Sequence, residues 1–458
     1  MMANDAPIAT DVDAPPITRI LADFVAAHPS RGWDASVDRQ AHRSVLNWVG
    51  CAIGASRHPA VEAALAAATE LAPGAQAMIL GRSERLDIAS AALVNGISSH
   101  TFDFDDTHLK TIIHPAGPVA SAALALAEHR RASGRELIDA IVLGIDVECR
   151  IGNAIYPDHY DRGWHITGST GMLGAAAACA RILELDAGRT AMALGIAASQ
   201  PIGVREQFGS MTKAFHIGGA ARAGLMSALM ARHGYTASRR ALEAPRGLMQ
   251  TYSTKCDWRE VTDELGLRFE ISFNTYKPFA CGIVIHPCIE GCRQLRDAHG
   301  LRADDIERID LLVHPLVLEL TGKRAPKSGL EAKFSVYHAC AAAILFGQAG
   351  EAEFSDAIAA RADVIALRDR VHASVDASIG ESAADVTIHC RDGRDLHLEV
   401  AHAIGSLQRP MSDADLSRKF HGLVDPVLGA ARARRLVELC GTLADADNVD
   451  ALKAAATD

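Results

Sequence analysis

Between residues 17 and 250 apolar side chains recur at spacings of three and four. The pattern is clearest in "AVEAALAAATELA", "GPVASAALALAEHRRASG", "ELIDAIVLGIDVECRIGNAI", "GMLGAAAACARILEL" and "GGAARAGLMSALMARHG", and it predicts a succession of helices. So many of these positions are Ala or Gly that the helices are expected to pack closely, with little side-chain bulk between them. The texture then changes. "LRFEISFNTYKPFA" (267–280), "IERIDLLVHPLVLEL" (306–320) and "DVTIHCRDGRDLHLEVAHA" (385–403) are rich in β-branched and alternating residues. They predict strands, the last of them turning at Asp392-Gly393. "HPCIEGCRQLRDAHG" and "AKFSVYHACAAAILFG" read as helices between the strands, and from residue 412 the pattern is helical again. The chain is therefore expected to be mainly α: an all-helical domain from residues 1–267 and 401–458, and a smaller α+β domain from 268–400.

Composition narrows the classes of function. The 458 residues are long enough for more than one core, with 49% hydrophobic and 22% charged residues and a net charge of -10. Such a chain lacks the basic field that holds nucleic acid, so no nucleic-acid partner is expected. An anionic ligand would need a local cluster of cations to overcome the overall field. No apolar run approaches the roughly 20 residues of a membrane helix, so no membrane partner is expected either. The first residues, "MMANDAPIATDVDAPPITRI", carry no apolar core or arginine pattern of a signal or transit peptide. Ten cysteines without a CxxC pair suit buried thiols in a reducing cytoplasm better than a disulfide framework.

Chemistry concentrates in "HTFDFDDTHLKTIIHP" (100–115), which holds His100, Asp103, Asp105, Asp106, His108 and His114. Aspartates this close cannot all stay charged in a poorly solvated place without cationic partners. Taken alone, the segment fits a solvated acidic loop with a helix cap, or less well a metal site, for which no HExxH or regular ligand spacing is present. "RGWHITGSTGMLGAAAACA" (162–180) sets His165 before a Gly- and Ala-rich helix. Its GxxGxxG spacing is a poor nucleotide motif, while the helix start offers N–H groups to an anion. Lys213 in "SMTKAFHIGGAARAG" and Lys277 in "FNTYKPFACG" lie among small and apolar residues, where a plain surface lysine is less expected; Arg205 and His216 are near the first in sequence. Tyr337 falls within an apolar helix. Cys281, Cys288 and Cys292 match no iron-sulfur spacing and read as buried thiols.

The ordered set "NG" then "HTFDFDDT" and "HP", "GWHITGSTG", "KAFHIGGAA", "YKPFACG" and "FSVYHACAAA" resembles the MmgE/PrpD family, over most of the chain. That family includes 2-methylcitrate dehydratase, cis-aconitate decarboxylase and iminodisuccinate epimerase. The resemblance implies a large helical domain from both chain ends, an inserted α+β lid and a homodimer. Carried over by motif, it implies catalytic roles for Asp103, His114, His165, Lys213 and Tyr337, and substrate binding by Thr107 and Lys277. The segment from Thr107 to His114 is about one residue longer than in the family's decarboxylases, and Asn47 stands where Asp is common.

The substrates implied are small di- or tricarboxylates, with no cofactor and no metal. Deprotonation beside a carboxyl group builds enolate-like charge, so such a site needs cations, a base and an acid. Lys213, Lys277 and His165 are expected to bind carboxylates, Asp103 and His114 to form a coupled acid/base pair, Thr107 to orient the substrate and Tyr337 to donate a proton or hydrogen bond. The base could equally be His165 or a lysine. Dehydration of a 2-methylcitrate-like hydroxy acid is the expected reaction, with cis-aconitate decarboxylation and dicarboxylate epimerisation as alternatives. Asp103-Phe104-Asp105-Asp106 also reads as the DxDD of protonating terpene cyclases, but 5% aromatics are few for a carbocation cavity. A non-catalytic helical interaction protein is the remaining class.

Overall fold

A computed structural model describes residues 14–29, 33–71 and 74–458; residues 1–13, on which part of the targeting expectation rests, lie outside these. The helices that matter for the site are α1 (Ala35–Gly54), α2 (Ile88–Thr101), α3 (Ala116–Arg130), α4 (Gly134–Ile155), α5 (Ile166–Ile182) and α6 (Thr212–Arg232). Their starts follow from local chemistry. The Asp87 side chain accepts from the first free N–H groups of α2, and Ser133 with Glu136 forms a reciprocal capping box at α4. Helices α2, α3, α5 and α6 pack on one another, and nearly every side chain of α3 and α5 is buried. The closeness is steric. A Cβ on Gly96 of α2 would stand 2.6 Å from the Cα of Gly218 of α6, so these helices meet backbone to backbone. That contact fixes the C-terminus of α2 beside the N-terminus of α6.

Beyond α6 the smaller part of the chain carries helices α7 (His286–His299) and α8 (Val336–Phe346) against a four-stranded sheet. With β1 (Asp106–His108) and β2 (Asn274–Tyr276) belonging elsewhere, the sheet consists of β3 (Ile306–Val313), β4 (Val371–Val375), β5 (Ala384–Cys390) and β6 (Asp395–Val400), in the order β4-β3-β5-β6. Only β4 runs parallel to its neighbour β3. Alternate residues of β5 point into the core, and the β5–β6 hairpin turns at Gly393, whose φ of +88° suits glycine. The fold is thus mainly α, with a helical N-terminal domain and a smaller C-terminal domain.

Two strand expectations need correction. Residues 267–280 do not enter the sheet: Glu270–Phe273 is a 3-10 turn, and only Asn274–Tyr276 is extended, pairing antiparallel with β1 as Asp106 to Tyr276 and His108 to Asn274. In 306–320 the strand ends at Val313, because Pro315 opens a helix over Pro315–Thr321. The last helices, α9 (Asp413–Leu428) and α10 (Ala430–Gly441), return to pack on α1, where the Phe420 ring fills the space a side chain at Gly50 would take. Among the described residues no helix is long and apolar enough to cross a membrane.

Candidate active site

Helix α2 ends at Thr101, and the chain then makes an unfavourable turn: Asp103 has a φ of +49°, a left-handed position where glycine is the usual residue. Aspartate takes this conformation more readily than most residues with a Cβ. The carboxylate is 4% exposed and sits between two ammonium groups. Lys277 Nζ donates to Asp103 Oδ1 at 2.7 Å and to the Asp103 carbonyl at 3.0 Å, and Lys213 Nζ donates to the same Oδ1 at 3.2 Å. The β1–β2 pairing delivers Lys277, the residue after β2, beneath this loop. The first turn of α6 delivers Lys213. Burial works against the Asp103 charge, but Lys213 and Lys277 outweigh it and hold the carboxyl well below its usual range.

A second chain of contacts starts from Lys213. Its Nζ lies 2.6 Å from His100 Nε2, and His100 Nδ1 lies 2.7 Å from Asp105 Oδ2. The pattern assigns the tautomer: His100 donates from Nδ1 to the carboxylate and accepts the ammonium proton at Nε2. Burial lowers the His100 pKa despite the opposing Asp105 charge. Burial, together with the neighbouring Lys277, also pulls Lys213 below the ordinary lysine value, against the pull of Asp103. Lys213 is therefore a proton donor with a weakened hold on its proton, wired to a carboxylate through an imidazole.

His114 closes the other side. Its backbone N–H donates to Thr167 Oγ1 at 3.0 Å, and its Nδ1 donates to the Asp106 carbonyl at 2.8 Å, which leaves Nε2 with the ring's free lone pair. The turn that brings it back is tight. His108 N–H donates to the Ile113 carbonyl, the His108 ring spans Thr111 and Glu270, and Ile112 adopts a φ of +60° that a β-branched residue rarely takes. His165 Nδ1 lies 2.9 Å from His216 Nδ1, so one ring donates and the other accepts. Burial first, then the positive charge of Lys213, keeps His165 well below the usual histidine value; burial does the same for His114 against the pull of Asp105. Both imidazoles are neutral bases.

These groups face a narrow cavity. Asp103, His114, His165 and Lys213 line it, with Tyr160, and Ile283, Val284, Leu320 and Phe334 from the smaller domain complete an apolar part of the wall. The remaining sequence candidates do not reach the cavity wall. Lys277 stands behind Asp103, and Thr107 stands behind His114, its Oγ1 3.5 Å from Nδ1. Tyr337 is buried in the first turn of α8 with the Arg324 guanidinium 4.7 Å over its ring, and it is absent from the lining. Thr107, Lys277 and Tyr337 thus stand outside the cavity lining. Cys281, Cys288 and Cys292 are buried thiols in no disulfide.

Sequence reasoning passed over three residues that the structure brings in. His100 and Asp105, visible only as members of a crowded segment, form the relay to Lys213. Lys419 of α9 donates to the Phe104 carbonyl at 2.5 Å and to Asn47 Oδ1 at 2.7 Å, and lies 4.0 Å over the Phe104 ring. Asn47 is therefore the acceptor that holds this lysine under the Asp103–Asp105 loop.

His100, Asp103, Asp105 and His114 have ligand atoms within 4.8 Å of one another, a set that resembles a metal site. Asp103 and His100 are already engaged, however. Lys213 and Lys277 share Asp103 Oδ1, and His100 uses both ring nitrogens, on Lys213 and on Asp105. A cation entering here would meet two ammonium groups at contact distance, so the donor set does not fit a resident metal.

The fold and the centre it encloses define a two-domain, mainly helical enzyme with a buried acid–base site. The MmgE/PrpD N-terminal domain matches residues 19–261 and the MmgE/PrpD C-terminal domain matches residues 279–443, and the chain belongs to the MmgE/PrpD family as a lyase. It is 27% identical over 448 residues to a cis-aconitate decarboxylase-like protein, oryM, of Aspergillus oryzae, covering 92% of this chain and 93% of that one. It is also similar to cis-aconitate decarboxylases of Aspergillus terreus (27% over 427 residues, 86% of each chain) and Homo sapiens (26% over 392 residues, 80% of this chain and 79% of that one).

Proposed function

We propose that the protein is a metal-independent lyase that removes carbon dioxide from a small, cis-aconitate-type polycarboxylate. The observation that carries this reading is Lys213 Nζ, held between Asp103 and the His100–Asp105 pair at the wall of the cavity. The sequence alone favoured dehydration; the apolar part of the wall and the names of the relatives move the preference to decarboxylation. A carboxylate pressed on Ile283, Val284, Leu320 and Phe334 is poorly solvated, and loss of its charge as carbon dioxide relieves that cost. The carbon–carbon bond breaks and its electron pair passes into the conjugated carboxylate, which lies against Lys213 and His165. The Lys213 ammonium then protonates carbon, and one solvent proton entering through the cavity restores the lysine, while His100 and Asp105 hold its Nζ in place. Asp103 keeps the two lysines in place, His114 is assigned to orienting the substrate and Thr107 to holding His114 from behind, and Tyr337 keeps only the proton- or hydrogen-bond-donating role that the family resemblance implies.

The chain division suggested by sequence texture, 268–400 inserted into 1–267 and 401–458, assigns the apolar wall to the insert. Dehydration of a 2-methylcitrate-like acid remains the second reading, because departure of hydroxide needs the same proton donor. Buried thiols support a cytoplasmic setting, and family resemblance supports a homodimer. The test is NMR in deuterated buffer with cis-aconitate, 2-methylcitrate, citrate and aspartate-derived dicarboxylates. Carbon dioxide release with one deuterium incorporated at carbon is expected; water loss alone would move the reading to a hydro-lyase, and exchange with inversion to an epimerase.

A further inference from the structure

Phe208 and Leu320 each belong to two hollows. They line the catalytic cavity, and they also line a polar cleft beside it, between residues 161–163 and 204–208 of the helical domain and residues 318–323 of the smaller one. The cleft carries Asp161, Arg162, Arg205, Glu206, Glu319 and Lys323, and all of these except Arg205 are exposed.

The Arg205 side chain is 12% exposed and is held by the framework of the cavity itself. Its backbone N–H donates to the Gly163 carbonyl at 2.8 Å, while His165 N–H donates to the Gly203 carbonyl at 3.1 Å, so residues 203–205 are stitched to the loop that carries His165. The guanidinium lies 4.2 Å over the ring of Tyr160, a residue of the cavity wall, and Nη1 donates to the Tyr160 carbonyl at 3.0 Å. Nη2 donates to Oε1 of Glu319, from the smaller domain, and Nε is buried without a hydrogen-bond partner. Nε and Nη2 together form the side-on fork through which a guanidinium takes both oxygens of one carboxylate. Glu319 fills one prong, and the empty prong is a buried donor left unsatisfied at a cost.

The charge of the cavity points the same way. Lys213 is matched by Asp103, both histidines are neutral, and Lys277 adds a single positive charge from behind. An acid with two or three carboxylates leaves water only where more positive charge meets it. Arg205 is the next cation along the wall.

We propose that Arg205 is a further substrate-binding residue, which takes the carboxylate farthest from Lys213 into its fork, and that Glu319 holds the fork until the substrate displaces it. The proposal rests on the polycarboxylate reading above. Glu319 is 58% exposed, so its ion pair is cheaply exchanged, and it acts as an internal competitor of the acid.

Calorimetry with succinate and tricarballylate, which carry two and three carboxylates and no double bond, tests this beside the steady-state turnover of cis-aconitate. Arg205→Gln is expected to weaken tricarballylate about thirtyfold and succinate about threefold at most, and to raise KM for cis-aconitate far more than it changes kcat. Arg205→Lys keeps the charge without the fork and should recover part of the loss. Glu319→Gln, at an exposed position with little burden on folding, should tighten tricarballylate about threefold, the scale of an exposed ion pair. It decides alone if Arg205→Gln does not fold. Equal weakening of both acids in Arg205→Gln would mean that the arginine only supports the packing around Tyr160. Looser binding in Glu319→Gln would make the pair a latch between the domains. Either result overturns the proposal, as does an Arg205→Gln protein that binds both acids like the wild type. A wild-type protein that binds neither acid and turns over no polycarboxylate overturns the polycarboxylate reading instead, and the role of Arg205 with it.

Discussion

The two walls of the cavity are built by different rules. On the helical side, Asp103, His114, His165 and Lys213 are each fixed by at least one partner at hydrogen-bond distance, and all are buried. From the smaller domain, Ile283, Val284 and Leu320 contribute shape and dryness, and the Phe334 ring lies 5.6 Å from Lys213 Nζ. Charges in low dielectric are strongly felt and must be placed accurately, whereas apolar side chains exchange volume with modest penalties. In the proposed function the polar wall sets what reaction occurs, and the apolar wall sets how strongly the substrate carboxylate is desolvated.

Breaking the polar wall should have the largest effect. Lys213→Ala removes the proton donor and is expected to lower kcat about 10^3-fold, with the circular dichroism spectrum unchanged. As the proposed donor, Lys213 acts only while protonated. Because burial lowers its pKa, the alkaline limb of the kcat–pH profile should fall at lower pH than a free lysine would give, with activity lost as pH rises through it. A Lys213→Ala protein with wild-type turnover would remove the proposed donor. His114→Ala should follow, at roughly 10^2-fold in kcat, since Lys213 and its relay stay intact.

Breaking the dry wall should act differently. Leu320→Asn gives the substrate carboxylate a hydrogen-bond partner in the ground state, so kcat and KM are expected to fall together, each by about tenfold. If kcat stayed constant while KM rose, Leu320 would contribute plain contact and no desolvation.

How much of this contrast the sequence displayed depends on the wall. Helical texture and the order of short motifs pointed to Asp103, His114, His165 and Lys213 before any coordinates. Three things stayed hidden. The antiparallel pairing of β1 with β2 joins residues 166 to 170 positions apart, and nothing local in "FNTYKPFA" separates a three-residue strand beneath a loop from a strand of the main sheet. Lys419 acts from the last helical layer on Phe104, a contact made by the return of the chain end to α1. The Arg324 guanidinium over Tyr337 shows the reverse case: a motif residue that tertiary packing sets apart from the cavity. Apolar wall residues carry no sequence signal beyond being apolar.

A smaller effect separates two aspartates three residues apart. Asp103 is held ionised by its lysines, whereas burial first and then the Asp105 charge push Asp106 up to about 8. In the folded protein Asp106 keeps its proton where the unfolded chain, with a value near 4, releases it. Its stabilising contribution is complete below about pH 4 and declines as pH rises toward 8. Asp106→Asn keeps the shape without the titration, so its Tm should fall less than that of the wild-type protein between pH 5 and 9. Equal slopes for the two proteins would mean that Asp106 is already ionised when folded.

The smallest expected effect is none at all, and it tests what holds the polar wall together. His100, Asp103, Asp105 and His114 offer ligand atoms close enough for a divalent cation, yet two ammonium groups already supply the positive charge that such an ion would bring. Lys277 is 1% exposed and bonded to two Asp103 oxygens, so making room for an ion would strand a buried ammonium, which is more costly than leaving the ion in water. Exhaustive chelation should leave kcat and KM unchanged, and added zinc or iron should inhibit if it does anything, by displacing Lys213. Activity lost on chelation and restored by one metal would mean that the lysines move aside in the working enzyme, and that the cationic charge of this wall is supplied by the ion.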